Sequence, residues 1–435
     1  MYDWAISSLQ TTIMVAVFPV FFVRISDLPE SRATQAFAAA NTIAALVLAV
    51  LSPLLGAISD FAAAKKKLLF VAMLIGATAT AAMFFIDRGE VGFAATLFVI
   101  AVIAGTASVV FYEALLPHIA GPDEIDRVST AGYAMGYIGG GVLLALNLAW
   151  IQKPEWFGLP YGPDLAEQQR TLPTRLAFVS VAVWWSLFTI PLLRGVREPA
   201  RTLEADEVTR PRSVTAPFVR LAETLRELRG FKQAFLMLLA FLVYNDGIQT
   251  IIRMATAYGA EIGIPDSALI ASILIVQFVG IPFTFLFGAL AERVGAKHAI
   301  FLGLLAYTFI SVVGYFMKNA VHFVILAGMT GMVQGGTQAL SRSLFATLIP
   351  AHKSGEFFGF YSVFEKFASI FGPLLFAATI AVFGTSRHAI LSVILFFAIG
   401  AWLLSKVDVA KGQQDARLAE TGLKALPTPT SIGAS

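Results

Sequence analysis

A carboxylate lies inside an apolar stretch of this 435-residue chain. Asp246 is near the middle of the stretch 233–254, and Gln249 and Arg253 follow at i+3 and i+7, on the same side of a helix. A charge at the centre of a bilayer costs roughly 2.5–3.5 kcal/mol on insertion scales, so it must face a cavity or a partner. Asp246 is therefore predicted to bind a substrate ammonium group or a coupling proton. A structural pair with Arg253 is the alternative, although seven residues span about 10 Å of helix.

Uncharged polar side chains occupy other apolar stretches of the chain. Such groups can hydrogen-bond a zwitterion without adding charge, whereas hydrogen bonding between helices, at about 0.6 kcal/mol on average, is the alternative role. The residues predicted to form a binding site with Asp246 and Arg253 are Tyr244, Asn245, Gln249, Gln277, Gln334 and Gln338.

Composition indicates which elements position these residues. Hydrophobic residues make up 57% of the chain and charged residues 14%, against roughly 45–50% and 25% in soluble domains. This excludes an ordinary soluble enzyme, a disordered chain and a nucleic-acid binder, and predicts an all-α polytopic membrane protein. A spanning helix needs about 20 mostly apolar residues. Twelve transmembrane helices are predicted, at 5–24, 34–58, 67–86, 92–116, 131–151, 175–193, 233–254, 268–290, 298–317, 322–347, 357–383 and 388–405.

The twelve stretches fall into two similar halves. Gly56 to Asp60 ends the second stretch, and the similar Gly288 to Glu292 ends the eighth. A six-plus-six repeat is typical of secondary transporters, with the substrate site near the midplane between the halves. The predicted organisation is an N-terminal six-helix bundle (1–193), a cytoplasmic linker with an amphipathic helix (194–232), a C-terminal six-helix bundle (233–407) and a disordered cytoplasmic tail (408–435).

Lysine and arginine counts predict the orientation. With the N-terminus in the cytosol, the cytosolic segments hold 20 of these residues and the outer segments and helix ends hold 9. Both termini are therefore predicted to be cytoplasmic, in a cell (inner) membrane. No cofactor, metal site or enzymatic activity is expected, because the chain has no cysteine, no phosphate-binding Gly-Lys loop and only five scattered histidines.

Charged residues near the predicted cytosolic ends of the helices are candidates for a gate. Arg342 and Glu365 lie at similar depth and are predicted to pair when the inner gate is closed; a permanent pair, or an Arg342 that receives a substrate carboxylate, are the alternatives. Glu113 is expected to pair with a basic residue on the cytosolic side, such as Arg127, rather than to bind substrate. The full set of predicted gating residues is Asp60, Glu113, Glu292, Arg293, Arg342, Glu365 and Lys366.

The stretch 131–151 carries glycines at spacing four, namely Gly132, Gly136 and Gly140. Small residues at this spacing allow two helix backbones to approach closely. A close helix contact is therefore predicted on this face.

The two loop motifs, GAISDFAAAKKK (56–67) and GALAERVGAKH (288–298), resemble the signature of the major facilitator superfamily. The strings YDWA (2–5), YEALLPHIA (112–120), WW (184–185), YNDGIQT (244–250), QGGTQALSRS (334–343) and FFGFY (357–361) resemble its vacuole-effluxer-like family. The resemblance implies two six-helix bundles that rock about a central cavity, gate roles for Asp60 and Glu292, and export of neutral amino acids.

The expected partners follow from this interpretation. They are a small-molecule substrate such as an amino acid, membrane lipids and a coupling proton, with no nucleic acid, for a monomeric protein. Two other classes stay open: an exporter of drug-like or lipid-like amphiphiles, and a membrane sensor that does not transport.

Overall fold

The computed structural model of the chain describes residues 1–121, 123–162, 164–199, 202–203, 230–261, 264, 266–367, 371–383, 386–421 and 424–425. Nearly all of this part is helical. The first half contains α1 (Tyr2–Ser8), a π-helical segment (Leu9–Ala16), α2 (Phe18–Ile25), α3 (Glu30–Ala62), α4 (Lys65–Ala82), α5 (Val91–Glu113), α6 (Leu116–Ile119), α7 (Ile125–Gln152) and α8 (Glu167–Gly195). Short 3-10 turns lie at Met83–Phe85 and Pro154–Phe157.

The second half contains α9 (Lys232–Glu261), α10 (Asp266–Val294), α11 (Ala296–Tyr315), α12 (Ala320–Thr347), a 3-10 turn (Ala351–Lys353), α13 (Ser354–Phe367), α14 (Phe371–Phe383), α15 (Ser386–Ser392), α16 (Ile394–Ser405) and α17 (Val409–Thr421). Two short strands, β1 (Thr202–Leu203) and β2 (Lys424–Ala425), pair antiparallel.

Most predicted spans appear as long apolar helices. Within the described residues, nine helices are long and apolar enough to cross a membrane, and the pair Tyr2–Ala16 and Phe18–Ile25, bent by 41°, makes a tenth. The helix α12 is rich in glycine, glutamine and hydroxyl side chains, which explains its departure from a uniform apolar span. The stretch predicted at 357–383 contains α13 and α14, and residues 368–370 lie outside the described residues.

Each half has its own apolar core. In the first half Phe18, Phe98 and Phe178 are fully buried together with Trp185. In the second half the buried centre includes Tyr244, Tyr307, Phe345 and Phe397. Burial of apolar surface against neighbouring helices therefore holds each bundle together separately.

Two helix pairs that join the halves are α7 with α10 and α3 with α13. In the first pair, α7 packs on α10 from Thr130 beside Gly288 to Gly141 beside Gln277. In the second, α3 packs on α13, where Gly56 touches Gly355 and a Cβ at Gly359 would lie 2.7 Å from the Pro53 Cα. We call the end marked by Asp60, Asp126, Arg342 and Glu356 the motif end, and the other end the open end. A cavity between the halves runs from Arg342 at the motif end to Met317 and Phe323 at the open end.

The tail prediction is wrong for residues 409–421. They form α17, in which Gly412 and Ala416 are buried at i and i+4. The Asp408 N–H donates to Gln233 Oε1 (2.8 Å), and the Ala351 N–H donates to Glu420 Oε1 (2.7 Å). The small buried residues and these two hydrogen bonds hold a polar helix against the second half, where composition alone indicates disorder. The amphipathic helix predicted in the linker, and residues 426–435, lie outside the described residues.

The glycine face of α7 packs on the first helix, as predicted. A Cβ at Gly136 would lie 2.7 Å from Ser7 Oγ, and Cβ atoms at Gly132 and Gly139 would overlap Asp3 and the Trp4 carbonyl oxygen. The two backbones touch here, so no larger residue fits without moving a helix.

Substitution of Gly139 with valine is expected to lower the melting temperature in detergent strongly, because overpacking at a rigid helix contact typically costs about 1–3 kcal/mol or more. Gly92→Ala is the matched control, since nothing lies within 4 Å of a Cβ at that position. Equal melting temperatures for Gly139→Val and the wild type, measured by tryptophan fluorescence, would contradict the close contact.

Candidate substrate cavity and its closed end

The cavity between the halves has a volume of about 780 Å³. Primary amides and hydroxyl groups provide most of its uncharged polar lining. The amides are Gln10, Asn41, Gln249, Gln277, Gln334 and Gln338, and the hydroxyls include Ser7, Thr11, Thr106, Thr250, Ser272, Ser311 and Thr330. Pockets of roughly 300–1,000 Å³ hold small molecules, so the cavity suits a small polar solute.

Four of the predicted binding residues line this cavity, namely Gln249, Gln277, Gln334 and Gln338. They come from α9, α10 and α12, so three helices of the second half contribute amides. Gln10 and Asn41 face them from the first half. These two residues were not predicted from the sequence.

Asp246 is not among the cavity-lining residues, contrary to its predicted role as a substrate ligand. It is 1% exposed, and its Oδ1 accepts the Gly372 N–H at 2.9 Å. Gly372 is the second described residue of α14. The carboxylate therefore holds the start of α14 against α9. A glycine is required at 372 because a Cβ there would overlap Thr250 Oγ1 and lie 2.8 Å from Asp246 Oδ1.

Tyr244 and Asn245 also lie away from the cavity lining. The Tyr244 hydroxyl shares a 2.5 Å hydrogen bond with Ser341 Oγ on α12, and its ring is completely buried. Asn245 is 1% exposed, and its amide has no hydrogen-bond partner in the described part of the chain. Both side chains are therefore packing residues of the second half in this conformation.

Arg342 is the centre of a buried polar cluster at the motif end of the cavity. Its Nε donates to Ser129 Oγ (3.0 Å), its Nη2 to the Ser129 carbonyl oxygen (3.0 Å) and its Nη1 to Asp3 Oδ1 (3.4 Å). Glu113 Oε1 lies 4.0 Å from Nη1, and the guanidinium covers the Tyr133 ring at 4.5 Å. The cluster joins α12 to three helices of the first half.

This geometry corrects two predicted pairs. Arg342 contacts Asp3 and Glu113 rather than Glu365, and Glu113 faces Arg342 rather than Arg127. Glu365 lines the cavity and, within the described residues, has no ion pair or hydrogen bond. The helix α13 presents Glu365 to the cavity, whereas α1 brings Asp3 beneath Arg342. Asp3 was missed because an acidic residue at the third position is typical of a solvated terminus.

Asp60 makes a second polar contact across the halves. Its Oδ2 accepts the Glu356 N–H of α13 (2.9 Å), and its Oδ1 lies 2.5 Å from Lys65 Nζ. Nearby, Ser354 Oγ donates to the Ala114 carbonyl oxygen (2.8 Å). The motif that ends α3 therefore contacts the start of α13. Asp60, which makes this contact, is one of the predicted gating residues.

The second motif copy is built differently. Glu292 and Arg293 are exposed, and neither forms an ion pair within the described residues. On the facing helix, Asp126 accepts a hydrogen bond from the Ser343 hydroxyl. The side chains of Arg253 and Lys366 lie outside the described residues, and their predicted roles stay predictions.

The linker is attached to the motif end through Glu198. Its carboxylate accepts the Lys66 N–H in the first turn of α4 (3.0 Å to Oε2), where a negative charge is favourable. Partial burial raises the pKa of Glu198, while the hydrogen bond from the Lys66 backbone opposes the shift. The chain that leaves α8 is thus fixed beside the Asp60 loop.

A π-helical segment on the first helix faces the cavity. Gln10, Thr11, Met14 and Val15 belong to it and line the cavity, and the chain bends by 41° immediately after it. π-Helical turns are rare and often mark functional sites. No group of three or more metal-ligating side chains was found among the described residues.

Solved structures share this architecture over nearly the whole chain. The proton:xylose symporter XylE bound to 6-bromo-6-deoxy-D-glucose matches with a TM-score of 0.70 and 13% identity, covering 95% of each chain. FucP in the outward conformation matches with a TM-score of 0.68 and 13% identity, covering 94% of this chain and 96% of that one. The fold is that of the major facilitator superfamily, and these matches imply the twelve spanning helices that the sequence predicts.

Sequence comparison gives the family. The model described as "Vacuole effluxer Atg22 like" matches residues 23–417, so the chain belongs to that family. An uncharacterized MFS-type transporter, YxiO of Bacillus subtilis, is 36% identical over 424 residues, covering 95% of this chain and 96% of YxiO. Autophagy-related protein 22 of Yarrowia lipolytica is 27% identical over 323 residues, covering 68% of this chain and 52% of the fungal protein. The chain thus spans about half the length of this fungal relative.

These comparisons confirm the predicted superfamily and family. The protein is an integral membrane transporter with a small-molecule substrate, and not an enzyme.

Proposed function

We propose that the protein exports neutral amino acids across a bacterial cell membrane by alternating access. In this proposal the motif end is cytoplasmic, as the lysine and arginine count indicates, so the structure corresponds to an outward-open state. The fungal relatives are named for autophagy, and the bacterial relative YxiO supports the cell membrane as the location.

The cavity lining is the observation that carries the proposal. Six primary amides converge on a space of about 780 Å³. Amides offer both donors and acceptors without charge, so they suit the carboxylate and ammonium of a zwitterion. An exporter of amphiphiles does not require six amides in its cavity, and a sensor requires no cavity closed by contacts across the halves.

Counterflow tests the proposal. Proteoliposomes preloaded with single unlabelled amino acids are expected to accumulate radiolabelled leucine when the internal amino acid is neutral. Gln277→Leu and Gln334→Leu are expected to raise the apparent KM by roughly two- to tenfold, the value of one lost hydrogen bond. Gln152→Leu is the control, because Gln152 is exposed at the end of α7. Absence of exchange with every amino acid, in folded and reconstituted protein, would overturn the amino-acid substrate.

Proton coupling through Asp246 forms part of the proposal. Asp246 contacts α14 and not the cavity, so it would act by releasing Gly372 and moving α14, rather than by touching the substrate.

A further inference from the structure

The charges that face the cavity are unequal. Among the lining side chains that the structure describes, Asp3, Glu113 and Glu365 are acidic and Arg342 is basic. Arg342 therefore offsets only one of three carboxylates. Ionised groups in a partly buried space need an opposite charge or a proton, since burial penalises the charged form.

Arg342 is not placed to bind the carboxylate of a solute. Each of its three guanidinium nitrogens is directed at a protein acceptor, two at Ser129 and one at Asp3. An arriving anion would have to displace these bonds and would also meet the two remaining carboxylates. The charged part of the lining thus disfavours anionic solutes.

Glu365 has the opposite character. It is partly exposed on the cavity wall and has no ion pair or hydrogen bond with any side chain in the described ranges. Gln334 and Gln338 line the same cavity, and their amides can accept and donate hydrogen bonds without neutralising it. A carboxylate in this position suits a cation that arrives from solution.

We infer that Glu365 binds the ammonium group of the transported solute, and that the cavity selects solutes carrying an amine and no net negative charge. The amides take the uncharged or carboxylate end of the solute. The inference rests on the proposed function, because it assigns one end of the substrate within the same cavity. It replaces the predicted gate role of Glu365.

Equilibrium binding to the full-length protein in lipid nanodiscs tests the inference with three probes. Leucine and leucinamide carry the ammonium group, and 4-methylpentanoate has the same carbon skeleton without it. The wild type is expected to bind both amines and to bind 4-methylpentanoate at least tenfold more weakly. Glu365→Gln is expected to weaken binding of both amines at least tenfold, whereas Glu155→Gln, on a surface turn, should not change it.

A second measurement needs no variant. Carbodiimide labelling of Glu365 in the wild-type protein, followed by mass spectrometry, should be slowed by leucinamide and not by 4-methylpentanoate. The inference is overturned if neither amine binds, if neither slows labelling, if 4-methylpentanoate binds as tightly as leucine, or if folded Glu365→Gln binds leucinamide within twofold of the wild type. If leucine counterflow fails while leucinamide binding still depends on Glu365, the amino-acid substrate is wrong and the ammonium site stands.

Discussion

Arg342→Gln is expected to reduce transport at least tenfold and to shift the protein away from the conformation with a closed motif end. The change leaves Asp3 and Glu113 buried without their cation, and breaking a buried pair in this way typically costs about 3–5 kcal/mol. The contacts join the two halves, so this loss falls on the closed motif end rather than on either bundle. Since each 1.4 kcal/mol is about tenfold, the population of this state should fall by two orders of magnitude or more.

Distances between spin labels measure the shift directly. The natural chain has no cysteine, so labels at Ala62→Cys and Val294→Cys report the motif end without further substitutions. Arg88→Gln is the matched control, because Arg88 forms an exposed pair with Asp27 at the open end, and exposed pairs contribute little. An unchanged distance distribution together with normal counterflow would show that the Arg342 cluster does not hold the motif end closed.

Variants of Asp246 should separate its positioning role from its charge. Asp246→Ala leaves the Gly372 N–H without its acceptor, at a cost of about 1–3 kcal/mol, and is expected to lower the melting temperature and abolish counterflow. Asp246→Asn keeps an oxygen acceptor and loses the charge. It is expected to retain counterflow and to lose accumulation driven by a pH gradient.

The control for both variants is Asp123→Asn, on an exposed loop. If Asp246→Asn accumulates solute under a pH gradient as the wild type does, the proton-coupling proposal fails and only the positioning role remains. If Asp246→Ala keeps full counterflow and stability, the bond to Gly372 is not what positions α14.

The sequence predicts the fold because twelve apolar stretches and their repeat leave few other architectures for a membrane protein. It also identifies glutamines of the cavity, since an amide within an apolar helix must find polar surroundings. It does not predict that Asp246 lies outside the cavity lining, because depth along a helix does not say which neighbour the side chain meets. The predicted pairing of Arg342 with Glu365 was wrong for the same reason. Glu365 lies at a similar depth, but the orientation of α13 about its axis decides where the Glu365 side chain points.

The two helix contacts between the halves can have different roles when the transporter changes conformation. The helices α7 and α10 stay together from Thr130 beside Gly288 to Gly141 beside Gln277, as the pin of a hinge does, while α3 and α13 meet from Pro53 beside Gly359 to Asp60 beside Glu356. A rotation of the halves about the α7–α10 contact therefore moves α3 relative to α13. The strength of the α3–α13 contact, more than the packing inside each bundle, should set the rate at which the transporter alternates between its two open states.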